Sequence, residues 1–306
     1  MGKVYPLFSP LFREKKMVRK IKIHPLCIAI ILPMTILFFL LHTYPFLSGV
    51  FYSLTNWKGY GNWKFVGISN YIQLFKDSNI LKSYLFTFKF ALFATLLVNI
   101  LSLAIACGLN NVVICRNFLK AVFFLPYMLG TLIVSYVFRF FFSNLLPLVG
   151  NYLDIEALKV NILGTNNAWI GVLLVTIWQS LAFNILIYIS GLQTIDSEIY
   201  EAAEIDGAKG IMRFIKITFP MLAPFFTINM VLCGKNFLMI FDQIIALTNG
   251  GPGNATTSIA VLIYKRGFQG QQFAYQSANS VILFLVVVSI SIFQLRVLEK
   301  REAKYE

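Results

Sequence analysis

Residues 168–190 read AWIGVLLVTIWQSLAFNILIYIS, with no acidic or basic side chain among them. A helix crossing the roughly 30 Å hydrocarbon core of a bilayer needs about 20 apolar residues, and this stretch supplies them. Five further stretches have similar length and at most one charge each: 26–46, 84–109, 121–142, 221–240 and 276–295. An open chain in lipid must satisfy its backbone groups within each segment, so all six are expected to be helices. Composition agrees, since 58% of the 306 residues are hydrophobic and 13% charged, with a mean hydropathy of +0.73. Soluble domains carry about 45–50% apolar and about 25% charged residues. An extracellular enzyme and a cytosolic binding module are therefore excluded. The expected fold class is an all-α integral membrane protein with six transmembrane helices in one domain (26–295). A basic segment (1–25) precedes it and a short tail (296–306) follows.

The formal charge of +13 could mark a nucleic-acid partner, but the cations sit in short segments between apolar runs, where membrane orientation explains them. The N-terminal segment, the 110–120 and 193–219 loops and the tail hold sixteen of the 26 lysines and arginines. The alternate loops hold seven, namely Lys58, Lys64, Lys76, Lys82, Lys159, Lys265 and Arg266. The positive-inside rule then puts both termini and the 193–219 loop in the cytoplasm of a multi-pass protein of the cell membrane. The basic start resembles a signal peptide, but its apolar run is too long and no small-residue cleavage site follows, so a retained first helix is expected. Tyr44, Tyr52, Trp57, Tyr60 and Trp63 suit an interfacial aromatic belt.

The residues show no catalytic constellation. His24 and His42 lack metal-ligand spacing, and Cys27, Cys107, Cys115 and Cys233 form no Cys-x-x-Cys pair and read as buried thiols. Neither a G-x-S-x-G elbow nor a G-x-x-x-x-G-K-[ST] phosphate loop is present, so ATP-driven work would need another subunit. Three cations remain inside spans. Lys89 and Arg139 are expected near outer helix ends, from which they can snorkel. Lys235 lies about 20 Å beyond Pro220 at ~1.5 Å per residue, so it either reaches the outer surface or faces a wet cavity beside Asn236.

The loop 193–220 is unusual in carrying five of the thirteen acids: Asp196, Glu198, Glu201, Glu204 and Asp206. Asp196 or Ser197 can cap a helix whose acids lie near its positive end. Ile195, Ile199, Ala202, Ala203 and Asp206 share one helical face. Gly207 permits a turn that a side chain would strain, and a second short amphipathic helix, 211–218, leads to Pro220 at the start of the fifth span. Together these predict a helix, an elbow and a helix lying along the membrane face.

Glu201-Ala202-Ala203, Gly207 and Ile217-x-Phe219-Pro220, at this spacing, resemble the EAA loop of binding-protein-dependent ABC importer permeases, with Phe219 where that pattern has Leu. Gly191-Leu192-Gln193, Phe241-Asp242, the run Leu247-Thr248-Asn249-Gly250-Gly251-Pro252-Gly253, and Phe65-Val66-Gly67-Ile68-x-Asn70-Tyr71 are similar to the sugar-importing branch, of maltose and glycerol-phosphate permease type. The resemblance implies a non-catalytic permease that forms half of a membrane path for a carbohydrate. It implies as partners a second permease of similar fold, two ATP-binding cassette ATPase subunits, an extracytoplasmic solute-binding protein and membrane lipid, with no nucleic acid. This chain would bind no cofactor, ATP and Mg being held by the ATPases. Ile199, Tyr200, Glu201, Ala202, Ala203, Ile205 and Gly207 would couple to the ATPase, Glu201 pairing with a basic group and Ile199, Tyr200 and Ile205 anchoring. Gln179, Ser180, Phe183, Gly234, Asn236, Phe237 and Ile240 would line the substrate path, while Lys235 beside them would suit an acidic sugar. Trp178, Asn184 and Tyr188 offer further groups of the kind that hold sugars. An ABC permease for a non-sugar solute, an ion-coupled secondary transporter and a membrane scaffold are the competing readings. The second of these usually needs an intramembrane carboxylate, and the six spans contain no Asp or Glu.

Overall fold

The computed structural model describes residues 25–111 and 116–302. The basic segment before Pro25, residues 112–115 and the end of the tail lie outside them, as do His24, Cys115 and the side chain of Cys27. The described residues fall into two compact units that meet between Ser48 and Gly49 in the chain. The first contains helix α1 (Pro25–Phe38), a π turn (Phe39–Thr43) and the start of a helix that runs from Tyr44 to Tyr52. His42 stacks on Phe38 with ring centroids 5.1 Å apart.

The second unit is helical, its one described extended pairing being an isolated bridge between Thr55 and Phe65. Its elements are α2 (Ser69–Leu74), α3 (Ser78–Asn111), α4 (Arg116–Met128), α5 (Thr131–Phe140) and α6 (Ala168–Leu192), then α7 (Ser197–Ile205), α8 (Gly210–Arg213) and α9 (Ala223–Leu238), and finally α10 (Asp242–Leu247), α11 (Ile259–Tyr264) and α12 (Phe273–Glu302). Five helices among the described residues are long and apolar enough to cross a membrane: Ile28–Tyr52, Ser78–Asn110, Thr131–Leu153, Ala168–Leu192 and Phe273–Leu298. A sixth crossing is the pair Gly210–Met221 and Ala223–Leu238 if the two are one span, bent by 71°.

Two expected spans change shape. The stretch 121–142 is not one helix: α4 ends at Met128, Gly130 is extended (φ −60°, ψ 133°), and a new helix runs from Thr131 through a π turn at Phe141–Leu145 to Leu153. Pro126 inside α4 removes a backbone donor and weakens the ladder just before the break. The Leu129 carbonyl freed there accepts from the Gln179 side-chain amide at 3.1 Å. The shift places Arg139 in the first half of Thr131–Leu153, exposed, and not near the C-terminal end of its helix as expected, with about 20 Å of helix beyond it at ~1.5 Å per residue. The fifth crossing bends at Leu222 because Pro224 has no N–H to continue the ladder back to Pro220, while Leu222 and Phe226 on either side keep their bonds, at 3.0 and 2.9 Å.

The buried side chains form two layers. One contains Phe90, Val98, Val172, Val175, Phe237, Ile244, Leu247 and Ile259. The other contains Ala106, Leu109, Ile185, Tyr188, Ile189, Leu192, Ile195 and Leu222, with Ile199 and Tyr200 packed against it. Polar side chains link the helices between them. The Tyr188 hydroxyl on α6 donates to Asn99 Oδ1 on α3 at 2.7 Å, and the Cys233 thiol on α9 lies 3.1 Å from Asn184 Oδ1 on α6. Such interhelical bonds contribute about 0.6 kcal/mol each in a membrane.

Candidate coupling and translocation site

The segment 193–222 forms the expected elbow. Asp196 is the extended N-cap of α7, but neither it nor Ser197 makes a side-chain capping bond. At the other end Gly207 adopts φ +81°, the Ala208 N–H donates to the Ala203 carbonyl at 2.8 Å, and the Gly207 N–H to that of Glu204 at 3.1 Å. This pair of bonds closes a helix through a left-handed residue and satisfies its last carbonyls. The chain re-enters helix at Gly210 (φ +55°) and passes through a π turn at Phe214–Thr218 to the bend at Leu222.

The residues expected to meet an ATPase divide between two faces of α7. Ile199 and Tyr200 are half-buried and Ala203 is 5% exposed, all turned toward the chain's own body. Thr218 Oγ1 donates to the Tyr200 hydroxyl at 3.4 Å, and the Arg213 guanidinium lies 5.3 Å from its ring centroid. The other face, open to a partner, carries Glu198, Glu201, Ala202 and Ile205, the last 87% exposed. Three of the expected contact residues therefore tie α7 to the membrane helices. A cavity of about 410 Å³ beneath the elbow is lined by Cys107, Leu192, Tyr200, Arg213, Phe214 and Thr218, among others.

Tightness at the bend comes from Gly191. A Cβ there would lie 2.6 Å from the Phe225 ring and 2.8 Å from Leu222, so the last turn of α6 accepts the bend only because this position has no side chain. Leu222 is fully buried. Tyr200, Thr218 and Leu222 thus form a continuous chain of contacts from α7 to the start of α9.

The far half of α9 faces a second cavity of about 380 Å³. Tyr127 lines it from α4, and Ser180, Phe183 and Asn184 from the middle of α6. Leu232, Cys233, Asn236 and Phe237 do so from α9, followed by Ile240 and Gln243. The Tyr127 and Phe183 rings are stacked, centroids 5.4 Å apart and planes 20° from parallel. Five of the path residues expected from the sequence, Ser180, Phe183, Asn236, Phe237 and Ile240, are brought together here. Three are not. Gln179 holds the Leu129 carbonyl. Gly234 faces α12, where a Cβ would lie 2.9 Å from Gln294 Nε2. Lys235 is exposed on another face of α9 and is absent from the cavity wall. Tyr188 is fully buried and Trp178 packs on Phe138, centroids 5.2 Å apart. Tyr127 and Gln243 were not found from sequence because the apolar pattern does not mark the breaks beside them, after Met128 and after Leu238.

The turn-rich stretch after α10 is cross-linked by its own side chains. Thr248 Oγ1 and Thr256 Oγ1 are 2.8 Å apart, Thr256 Oγ1 donates to the Gly251 carbonyl at 2.7 Å, and Thr257 Oγ1 to that of Gly250 at 2.9 Å. The buried Ser258 hydroxyl donates to the Ile240 carbonyl at 2.7 Å, and the Ile259 N–H to Thr87 Oγ1 on α3 at 3.0 Å. The motif 65–71 acts similarly: Asn70 Nδ2 donates to the carbonyls of Ser53 and Thr55 at 2.7 and 2.8 Å, and the Tyr71 hydroxyl lies 2.7 Å from Ser53 Oγ. Arg266 pairs with Asp77 at 2.6 Å. Burial would raise the Asp77 carboxyl, but the Arg266 hydrogen bond and the amides of Asn79 and Ile80 outweigh it and hold it below its ordinary value. Lys89 rests 4.4 Å above the Trp169 ring at the start of α6. Among the described residues no cluster of His, Cys, Asp or Glu could hold a metal ion.

Comparison with known proteins adds a family. A model of the inner membrane component of binding-protein-dependent transport systems matches residues 99–304. The multiple sugar-binding transport system permease protein MsmF of Streptococcus mutans is 40% identical over 261 residues, 85% of this chain and 90% of the relative. The probable starch degradation products transport system permease protein AmyD of Thermoanaerobacterium thermosulfurigenes is 34% identical over 260 residues, 85% and 89% of the two chains. The sn-glycerol-3-phosphate transport system permease protein UgpA of Escherichia coli O157:H7 is 32% identical over 273 residues, 87% and 90%. The fold is also that of a chain in a bacterial ABC transporter involved in import of the acidic polysaccharide alginate, with a TM-score of 0.77 and 20% identity over 90% of this chain and 95% of that one.

Proposed function

This chain belongs to the family of inner membrane components of binding-protein-dependent transport systems, and on that premise we propose that it forms half of the membrane path of an ATP-driven importer for a carbohydrate. It is a multi-pass membrane protein and a transport component, not a catalyst. Relatives named for sugars and starch products, at 40% and 34% identity, support the carbohydrate reading.

A second permease completes the path, two ATPase subunits supply ATP and Mg, and an extracytoplasmic binding protein delivers the sugar. Both termini and the elbow lie in the cytoplasm, as the distribution of Lys and Arg favours. The observation that carries the reading is the elbow itself. α7 presents Glu198, Glu201, Ala202 and Ile205 outward while Ile199, Tyr200 and Ala203 fasten it to the bend at Leu222. An ATPase gripping the outer face displaces the inner one, and the bend passes that displacement to α9, whose other end walls the second cavity. The cycle is then a rigid-body switch between inward-facing and outward-facing forms.

The test is co-purification with the ATPase and ATP-dependent uptake in proteoliposomes holding both permeases. Glu201→Arg and Gly207→Val are expected to remove both signals while the chain still inserts in the membrane. Carbohydrate uptake by the purified chain alone, with no nucleotide-hydrolysing partner, would overturn the reading.

A further inference from the structure

We propose that the recess between the start of α3, the turn-rich stretch after α10 and the end of α11 binds a phosphate-bearing anion, and that its source is the headgroup of an anionic lipid. The recess lies at the opposite end of α3 from the elbow and shares no wall residue with the cavity beside α9. The inference is therefore independent of the importer reading.

The recess holds about 350 Å³. Lys82 lines it from the first turns of α3, and Lys265 and Arg266 from a π turn that follows α11 (Lys265–Gln269). Three of the seven cations in the alternate loops thus face one space, whose wall contains no acid among the described residues. Asp77, which pairs with Arg266 at 2.6 Å, lines the neighbouring recess instead. Neither Lys82 nor Lys265 makes an ion pair among the described residues. Like charges gathered around one space repel one another, and a bound anion offsets that repulsion.

Most of the donors here are unused. Among the described residues the Lys82 ammonium, the Ser83 hydroxyl and the Asn79 side-chain amide make no hydrogen bond within the chain. Lys265 donates to the Asn249 carbonyl, and Arg266 meets Asp77 through Nη1. An ammonium has three N–H donors and a guanidinium five, so both keep donors for a ligand. A phosphate brings several acceptor oxygens to donors from separate elements, and charge-assisted bonds of this kind are about twice as strong as neutral ones.

The surroundings favour a lipid as the source. Lys82 lies about 6 Å along α3 from Ser78 at ~1.5 Å per residue, the level at which headgroups meet a spanning helix. Phe86 and Leu262 give the recess an apolar side, and α3 continues beyond it with Leu85, Phe88 and Leu92 exposed. That surface suits acyl chains, which a soluble phosphate does not bring.

The test is lipid binding to the full chain in detergent, read by native mass spectrometry with phosphatidylglycerol and phosphatidylcholine as probes. Phosphatidylglycerol is expected to bind at least fivefold more tightly, about the worth of one basic side chain near an anionic surface. The double variant Lys82→Gln/Lys265→Gln is expected to lose that preference, and Lys82→Arg/Lys265→Arg to keep it. Lys64→Gln/Lys76→Gln removes the same charge from two exposed positions outside the recess and is expected to bind as the parent does. Glycerol 1-phosphate binding as tightly as phosphatidylglycerol, with the same dependence on Lys82 and Lys265, supports the anion site but overturns the lipid source. Equal binding of the two lipids with no binding of glycerol 1-phosphate, or an equal loss in the Lys64 and Lys76 pair, overturns the site. So does a loss confined to retention of an extracytoplasmic binding protein, which would assign the cations to an acidic protein surface.

Discussion

The two ends of α9 are held in different ways. Beyond its C-terminal end the chain passes Ile240, whose carbonyl accepts from the buried Ser258, and enters a stretch in which Thr248, Thr256 and Thr257 bind one another or the backbone. Before its N-terminal end comes a bend of 71° at Leu222, fixed by packing against Gly191 and by one long hydroxyl contact, Thr218 to Tyr200. Side-chain hydrogen bonds specify one geometry, whereas a close apolar contact can rock about its centre. On the proposed reading the difference fits α9 to act as a lever, clamped at the cavity and pivoted at the elbow.

Four substitutions test this contrast, from the strongest to the weakest. Gly191→Leu drives a side chain into Phe225 and Leu222, and overpacking of this kind costs about 3 kcal/mol. The expected outcome is a lowered melting temperature in detergent and ATP hydrolysis that continues without uptake. Wild-type uptake would show that the bend does not transmit movement. Ser258→Ala frees the Ile240 carbonyl and the Val261 N–H at a buried position, at about 2 kcal/mol. It is expected to loosen the clamp after α9, read as faster hydrogen exchange over 240–262 with the elbow unchanged. Gly207→Ala places a side chain at φ +81° and costs about 1–2 kcal/mol. Partial loss of the co-purifying ATPase is expected, recovered in Gly207→Asn, since Asn tolerates that conformation.

The smallest effect is at Asp77, paired with Arg266 on the surface and worth at most about 1 kcal/mol. Its carboxyl is held below its ordinary value in the folded protein. The pair therefore stabilises fully above the ordinary carboxylate range, and its contribution is lost as pH falls through the lowered folded value. Acid melting curves of Asp77→Asn should lack that component. Identical acid limbs in the two proteins would show that the pair contributes nothing.

The apolar runs were legible because a bilayer forbids charge over a fixed length, a constraint visible residue by residue. The elbow was legible for a similar reason: Gly207 after an acidic, Ala-rich turn has few uses other than closing a helix. Hydropathy does not reveal where a run breaks. Ala121 to Phe142 carries a single charge, Arg139, and its hydropathy does not register the break at Pro126 and Gly130, so the third span lies about ten residues later than expected. Pro224 was likewise overshadowed by Pro220, although it is Pro224 that interrupts the ladder at the bend. Sequence also leaves open which way a helical side chain turns. Lys235 and Asn236 are adjacent, yet one joins the cavity wall and the other faces away. Ile199 and Ile205 are both apolar, yet one packs inward and the other is 87% exposed.

The distribution of free cysteines has a practical use. Cys107 sits under the elbow and Cys233 in the wall of the far cavity, and both thiols are free. With Cys27 and Cys115 replaced by Ser, the chain keeps one alkylation reporter on α3 beneath the elbow and one on α9 in the far cavity. Reagent reaching one thiol while the other stays shielded would compare access to the two cavities within a single turnover.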